Sequence, residues 1–436
     1  MNILIVGSGA REHAIARSIK KSKISNKLYC FASNRNPGIE DIVEMLEIGK
    51  ITDPKTVSTF AAKHSIDLAI IGPEAPLANG VVDALLEGNI KCVGPTKILA
   101  QIETSKSFTR DLMQKYNIPG CPNYHTFSNL NGTSEFLNML GENYVVKFDG
   151  LMGGKGVKVS GEHIKSHAEA LEYCKQIIAN GGKFVIEEKL IGEEFSLMSF
   201  CDGEHLMHMP PIQDHKRAYE NDTGPNTGGM GSYNDVNQSL PFLTNNDIDS
   251  AKAINIATAK ALKTEFGIGY QGILYGGFMA TANSVKVIEY NARFGDPEAM
   301  NIFSLLESDF VDVCLGIANT TLDKCKIVFS NRATVCKYAV PEGYPDLPIK
   351  GKCIDISKIG NSDQLYLASV DIENNILLES GSRTAAVIGL ANTLQEAESI
   401  AEDEIRRIEG PLFHRTDIGT YRLINKRINH MKALRS

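Results

Sequence analysis

The residues best suited to chemistry lie in VIEYNARFGDPE (287–298). Glu289 and Asn291 stand two apart in a strand-like run, a spacing that turns both oxygens to one face. Hard oxygen donors in this arrangement suit Mg²⁺ or Mn²⁺, ions that keep several waters and bridge to substrate phosphates. Arg293, just beyond, can balance charge on a transferring phosphoryl group. Asp296, Pro297 and Glu298 then begin a turn, with the proline pre-set for a following helix. A polar strand end holding one ion pair is the plainer reading, and it accounts for less of the run.

KFDGLMGGKGV (147–157) is the strongest glycine signal. It is not a P-loop, because Lys155 is followed by Gly156 rather than Ser or Thr and no helix follows. A glycine hairpin carrying one lysine reads as a lid whose amides and Lys155 cover nucleotide phosphates. Lys147, on the preceding strand, is a second cation for the same charges. In IEEKLIGEE (186–194), Glu187 and Glu188 face opposite sides of a strand and cannot share one task. One task is accepting bonds from an adenine amine or ribose hydroxyls; a solvated acidic edge is the alternative.

GSGARE (7–12) has Glu12 where a dinucleotide fingerprint needs its third glycine. A helix entrance carrying Arg11 and Glu12 suits a phosphorylated sugar better than a pyrophosphate. An unliganded tight turn is an equal alternative. GPEAPL (72–77) follows the strand-like DLAII, and its two prolines stiffen a loop that presents Glu74 to a hydroxyl or amine. An exposed acid in a rigid turn is the simpler account. QDHKR (213–217) and GPNTGGMG (224–231) share one long connection, which reads either as a segment ordering around an anionic substrate or as disorder.

The elements that must position these residues change character along the chain. Strands at 3–7, 28–33, 67–76 and 90–95 alternate with helical stretches, which implies an open parallel sheet with helices on both faces. A long helical stretch covers 97–117 and stops at Ile118-Pro119. The middle of the chain reads as a hairpin (144–160), a helix (163–180), strands at 183–190 and 195–203, a helix (247–266), and paired strands at 271–280 and 284–291. That mixture predicts an α+β catalytic body with a smaller lid. Short β runs and a helix at 395–408 follow Arg332.

Composition narrows the class. Of 436 residues 43% are apolar, and 45 Lys and Arg against 52 Asp and Glu give a net charge of −7, which argues against coating nucleic acid. No apolar run approaches the ~20 residues of a membrane-spanning helix. The N-terminus lacks the pattern of a secretory signal. Nine scattered cysteines without a CxxC pair fit reduced core thiols in a cytoplasmic protein. His205 and His208 fall on opposite faces of a strand-like stretch, so no metal pair is expected there.

Taken in order, GSGAREHA, GPEAPL, KFDGLMGGKGV, IEEKLIGEEFS, QDHKR, DTGPNTGGMG, VIEYNARFGDPE and HRTDIG (414–419) resemble the phosphoribosylamine–glycine ligases of the ATP-grasp superfamily. The resemblance runs through nearly the whole chain. It implies a Rossmann-like substrate domain with an open parallel sheet (1–103) and an ATP-grasp domain (104–325) with a lid at about 121–190. A C-terminal mixed β/α domain (326–436) completes the expected architecture. The implied reaction joins glycine to 5-phosphoribosylamine with ATP, through a glycyl phosphate.

By the same resemblance, Lys106, Lys147 and the loop of Gly153, Gly154, Lys155, Gly156 and Val157 hold ATP phosphates. Glu187, Glu188, Lys189 and Leu190 frame the adenine, and Glu194 the ribose. Glu289 and Asn291 ligate Mg²⁺ or Mn²⁺. Arg293 stabilises the acyl phosphate, with Asp214 and Lys216 beside it. Gly9, Arg11, Glu12, Pro73, Glu74, Gly228, Gly229, Asp296, Pro297 and Glu298 line the phosphoribosylamine pocket. No nucleic-acid or membrane partner is implied, and a monomer or weak dimer is expected. Alternatives are another ATP-grasp carboxylate–amine ligase, an NAD-binding oxidoreductase, and a nucleotide sensor that kept the fold.

Overall fold

The computed structural model describes residues 1–153 and 156–436. Its N-terminal part is a parallel sheet of five strands in the order Met45–Ile48, Lys27–Ala32, Asn2–Val6, Leu68–Ile71, Lys91–Val93. Helices cover both faces, so Ile3, Leu4, Ile5 and Val6 are all fully buried and the strand reads as one apolar run. The strand Met45–Ile48 escaped the sequence reading because it is an edge strand with mostly exposed side chains. The chain leaves Asn2–Val6 for one side of the sheet and returns on the other at Leu68–Ile71. Its two motif-bearing turns, at 7–12 and 72–77, therefore open at a topological switch point, where open α/β sheets bind ligands.

The long helix expected over 97–117 is instead two helices, Gln101–Thr104 and Lys106–Lys115. Ser105 breaks it: its hydroxyl accepts from Phe108 N at 3.1 Å and donates to Asp149 at 3.1 Å, so it caps the second helix. GPEAPL likewise is not an extended loop, since a short helix, Glu74–Ala78, begins at Glu74.

A small antiparallel unit follows, with strand order Tyr124–Phe127, Phe184–Glu188, Tyr144–Phe148, Val157–Val159. Helices Thr133–Leu140 and His167–Ala179 pack on it and close a separate apolar interior of Phe127, Leu137, Tyr144, Ile177 and Phe184. The second helix starts at His167, later than 163, because Ser166 caps it through Glu169 N. The body sheet is Leu206–His208, Glu193–Asp202, Gln271–Ala280 and Val285–Asn291, backed by the capped helix Asn245–Phe266.

The segment 213–231 is neither a plain loop nor disordered. Gln213–Asp214 and Gly231–Asn234 join the C-terminal sheet, where Gly231–Asn234 pairs with Ala333–Pro341. Between them Arg217–Tyr219 pairs with Thr223–Asn226. Ala385–Ala391 and Leu365–Leu367 complete that sheet, with helix Leu394–Ile405 against it. One apolar cluster runs from Ile3 through the body sheet to Met431. All nine cysteines are free, six of them buried. No helix among the described residues is long and apolar enough to cross a membrane.

Candidate active site

A cavity of about 730 Å³ lies where the small unit, the body sheet and the switch-point turns meet. Its floor is strand Val285–Asn291. Glu289 pairs with Gly277 and Asn291 with Tyr275, while Ile288 is the extra residue of a β-bulge. The bulge leaves Glu289 and Asn291 on the cavity side. It also frees the Ile288 carbonyl to accept from Arg110 Nη2 at 2.7 Å and Lys147 Nζ at 2.9 Å. Burial alone pushes the Glu289 carboxyl up, but Lys216 and then Lys147, Lys106 and Arg293 outweigh it and keep the group ionised, below the usual range.

A buried ion cluster forms part of the same lining. Glu187 Oε1 accepts Arg110 Nε at 2.7 Å and its Oε2 accepts Arg110 Nη2 at 3.0 Å, with Lys147 Nζ 2.6 Å from the same Oε2. Burial raises the Glu187 carboxyl, yet Arg110 and then Lys147 bring it down to about 2. Burial, helped by Arg110, lowers the Lys147 ammonium. Glu187, for which the resemblance implied an adenine-framing role, lines the cavity, and both its oxygens are engaged in holding Lys147 and Arg110 in place. Glu188 points the other way, as strand alternation requires, and accepts Asn123 N at 2.9 Å.

Arg293 is held from two sides by residues ahead of the body sheet. Its Nη2 lies 3.1 Å from Glu103 Oε1 and its Nε 3.3 Å from Glu74 Oε2, and Nη2 reaches Asn291 Oδ1 at 3.4 Å. Burial raises the Glu103 carboxyl; Glu74 is instead held below its ordinary value, where burial is overcome by Arg293 and Arg11. Glu74 is thus a partner of Arg293 as well as a cavity wall. Lys216 forms an ion pair with Glu194 and stands 4.0 Å from Glu289 Oε1. Lys106 Nζ donates to Gly150 O at 2.9 Å.

The opposite wall carries Asp214 and Glu298. Burial, then the charge of Glu298, lifts Asp214 well above the carboxylate range, and burial lifts Glu298, which accepts the Tyr275 hydroxyl at 2.7 Å. Arg383 closes this wall from the C-terminal sheet, donating to Gly228 O at 2.6 Å, Gly229 O at 3.0 Å and Asp296 O at 2.9 Å. Asp222, in the turn between the paired strands at 217–226, is gripped by Arg415 at 3.1 Å and Arg427 at 2.5 Å.

Of the expected pocket residues, Arg11, Pro73, Glu74, Gly228, Asp296 and Glu298 line the cavity, as do Gly153, Gly156, Val157, Lys189, Leu190 and Glu194. Gly9, Glu12, Gly229 and Pro297 do not. Glu12 is a brace: its Oε2 caps Gly9 N at 2.6 Å, its Oε1 takes Arg11 Nε at 2.7 Å, and it packs against Gly7 and Gly72. Gly229 backs onto Asp214 and Pro297, too close for any Cβ. Gly154 and Lys155 lie outside the described residues.

Sequence reasoning missed Glu103, Arg110, Tyr275 and Arg383. Glu103 lies in the first of the two helices beside the buried Ile102, and Arg110 in the second near the buried Met113. Charges set in an apolar helix face are the signal that could have found them. Arg383 follows a Ser-Gly-Ser turn with nothing local to mark it. Among the described residues, Asp202, His205 and Asp323 also cluster, but both Asp202 oxygens are already taken by backbone amides and the His205 ring.

The cavity therefore gathers an ionised carboxylate and an amide oxygen on one strand, three lysines and an arginine around them, and a switch-point turn at one end. This arrangement can hold a polyphosphate with a divalent ion and place its terminal group against a second ligand.

Three family models match the chain: the phosphoribosylglycinamide synthetase N domain over residues 1–103, its ATP-grasp (A) domain over 104–299 and its C domain over 334–421. The phosphoribosylamine–glycine ligase of Methanosarcina barkeri is 49% identical over 435 residues, covering all of both chains. That of Methanococcus vannielii is 50% identical over 446 residues, again with full coverage of both. The crystal structure of the Thermotoga maritima phosphoribosylamine–glycine ligase superposes with a TM-score of 0.82 at 27% identity, covering 96% of this chain and 100% of that one.

Proposed function

The chain belongs to the phosphoribosylglycinamide synthetase family, and from that membership we propose that it ligates glycine to 5-phosphoribosylamine with ATP. The products are glycinamide ribonucleotide, ADP and phosphate, in an early step of purine biosynthesis. The observation that carries this reading is the convergence of Glu289, Asn291, Lys106, Lys147, Lys216 and Arg293 on one cavity that also reaches Arg11 and Glu74 at the switch point.

A carboxylate is a poor electrophile, so glycine is first converted to glycyl phosphate, and the amine then displaces phosphate. The protein's work is positioning and charge balance. Lys106 and Lys147 hold the phosphates, Lys147 being fixed for that task by Glu187. Arg293, locked by Glu103 and Glu74, meets the charge that develops on the acyl phosphate. The ionised Glu289 carboxylate and the Asn291 amide, two hard oxygens on one face, fit Mg²⁺ or Mn²⁺. Such an ion, when bound, neutralises the terminal phosphates. Glu187, Glu188, Lys189 and Leu190 form the adenine edge, Glu187 also anchoring Lys147, and Glu194, drawn toward Lys216, bounds the ribose side. The cytoplasmic location expected from the thiol pattern belongs to the same proposal.

The test is a coupled ADP assay on the purified protein. ADP release should require glycine, phosphoribosylamine and a divalent cation together, and should fall when glycine is replaced by alanine. Release that depends on neither glycine nor the amine overturns the reading.

A further inference from the structure

Two side chains outside the predicted set face each other across the cavity mouth. Glu162 lies in the turn after strand Val157–Val159 of the small unit, and Arg217 begins the paired strands at 217–226, one residue after Lys216. They form an ion pair, and both line the cavity. Arg217 Nη1 also donates to Gly224 O at 2.9 Å and meets the His163 ring at 3.5 Å. Lys189 steadies the turn from the other side, 3.3 Å from Glu162 and donating to Ser160 O at 3.0 Å. Among the described residues, no ion pair or hydrogen bond other than those of Arg217 joins the small unit to this hairpin.

The hairpin end of the contact is stiff. The Arg217 carbonyl accepts from Arg415 Nη1 at 3.0 Å, and the Lys216 carbonyl accepts from Thr227 N at 2.7 Å and Thr227 Oγ1 at 2.9 Å. A force on the Arg217 side chain thus reaches Lys216, the cation beside Glu194 and Glu289. At its other end the small unit is fastened to the body through Asp149, Lys147 and Glu187. The ion pair supplies the second fastening, on the substrate side.

Resting on the ligase reading, we infer that Glu162 and Arg217 are positioning residues that couple the nucleotide side of the cavity to the substrate side. With the pair intact, Lys147 of the small unit and Lys216 act on the same phosphates, and water is kept from the activated glycine. Without it the small unit keeps its inner fastening but stands off the hairpin, and part of the glycyl phosphate is hydrolysed before the amine arrives. That loss takes water into the acyl phosphate, releasing glycine and phosphate, so ADP forms with no matching product.

The experiment measures ADP and glycinamide ribonucleotide in the same reactions for the wild type, Glu162→Gln, Arg217→Gln, the double variant and Arg217→Lys, with unfolding midpoints as a control on folding. Each glutamine variant should raise ADP released per product by about two- to fivefold, the range expected of a partly exposed ion pair. The double variant should be no worse than either single one, and Arg217→Lys should restore coupling. Glutamine variants as tightly coupled as the wild type, or additive losses in the double variant, overturn the inference. A wild type lacking glycine- and amine-dependent ADP release overturns the ligase reading instead.

Discussion

Replacing Glu187 with glutamine keeps the shape of a buried side chain and removes only its charge. The carboxylate is 2% exposed and accepts two bonds from Arg110 and one contact from Lys147. Moving a carboxyl from an ordinary 4.5 to about 2 on folding corresponds to roughly 3 kcal/mol, at about 1.4 kcal/mol per pH unit. Breaking a buried pair from one side gives a similar figure, about 3–5 kcal/mol, because the remaining charges stay desolvated. In the variant two cations would share one neutral amide, and Lys147, already lowered by burial, would be lowered further and lose part of its grip on phosphate. The sign with pH follows from the depressed pKa. The contribution is complete above about 4.5 and drains away as pH falls toward 2. The chain has no tryptophan, so unfolding in urea is best followed by circular dichroism. The variant should unfold about 3 kcal/mol earlier at neutral pH, and the gap to the wild type should narrow in acid. Nucleotide affinity should fall in parallel. An unchanged urea midpoint at neutral pH, or a gap that stays constant down to about pH 3, would refute the reasoning.

Two further outcomes follow from the site and its scaffold. Glu289→Ala should lower divalent-cation-dependent turnover by about 100-fold or more while leaving the urea midpoint near that of the wild type. Near-normal turnover would mean the metal donors lie elsewhere. Gly72→Ala would put a Cβ 2.5 Å from Glu12 Cγ and closer still to Oε1. Thermal unfolding should show a loss of about 1–3 kcal/mol from this overpacking, and an unshifted melting temperature would show that Glu12 is free to move.

The sequence carried the site's donors more clearly than their supports. Glu289 and Asn291 are readable because strand alternation is strict, and the bulge at Ile288 leaves them on the same face. The buried parallel strands are readable as apolar runs. The buried pairing of Glu187 was not legible because its neighbour Glu188 is chemically identical, and only burial separates a carboxylate that meets Arg110 from one at the edge. The hairpin at 217–226 was hidden by its glycines and polar residues, since its order comes from Arg415 and Arg427, some two hundred residues away. Ser105 reads as mid-helix until Asp149 gives its hydroxyl somewhere else to bond.

The placement of the apolar interior has a consequence for how the molecule comes apart. One cluster draws residues from Ile3 to Met431, whereas residues between Phe127 and Ile186 close a cluster of their own and residues between Ala339 and Ile408 a smaller one. The borders that divide the chain by ancestry are therefore not the borders of cooperative melting. A protease sampling transient openings would nick one of the separately packed clusters first, and the two ends of the polypeptide, which share the main one, would survive or perish together.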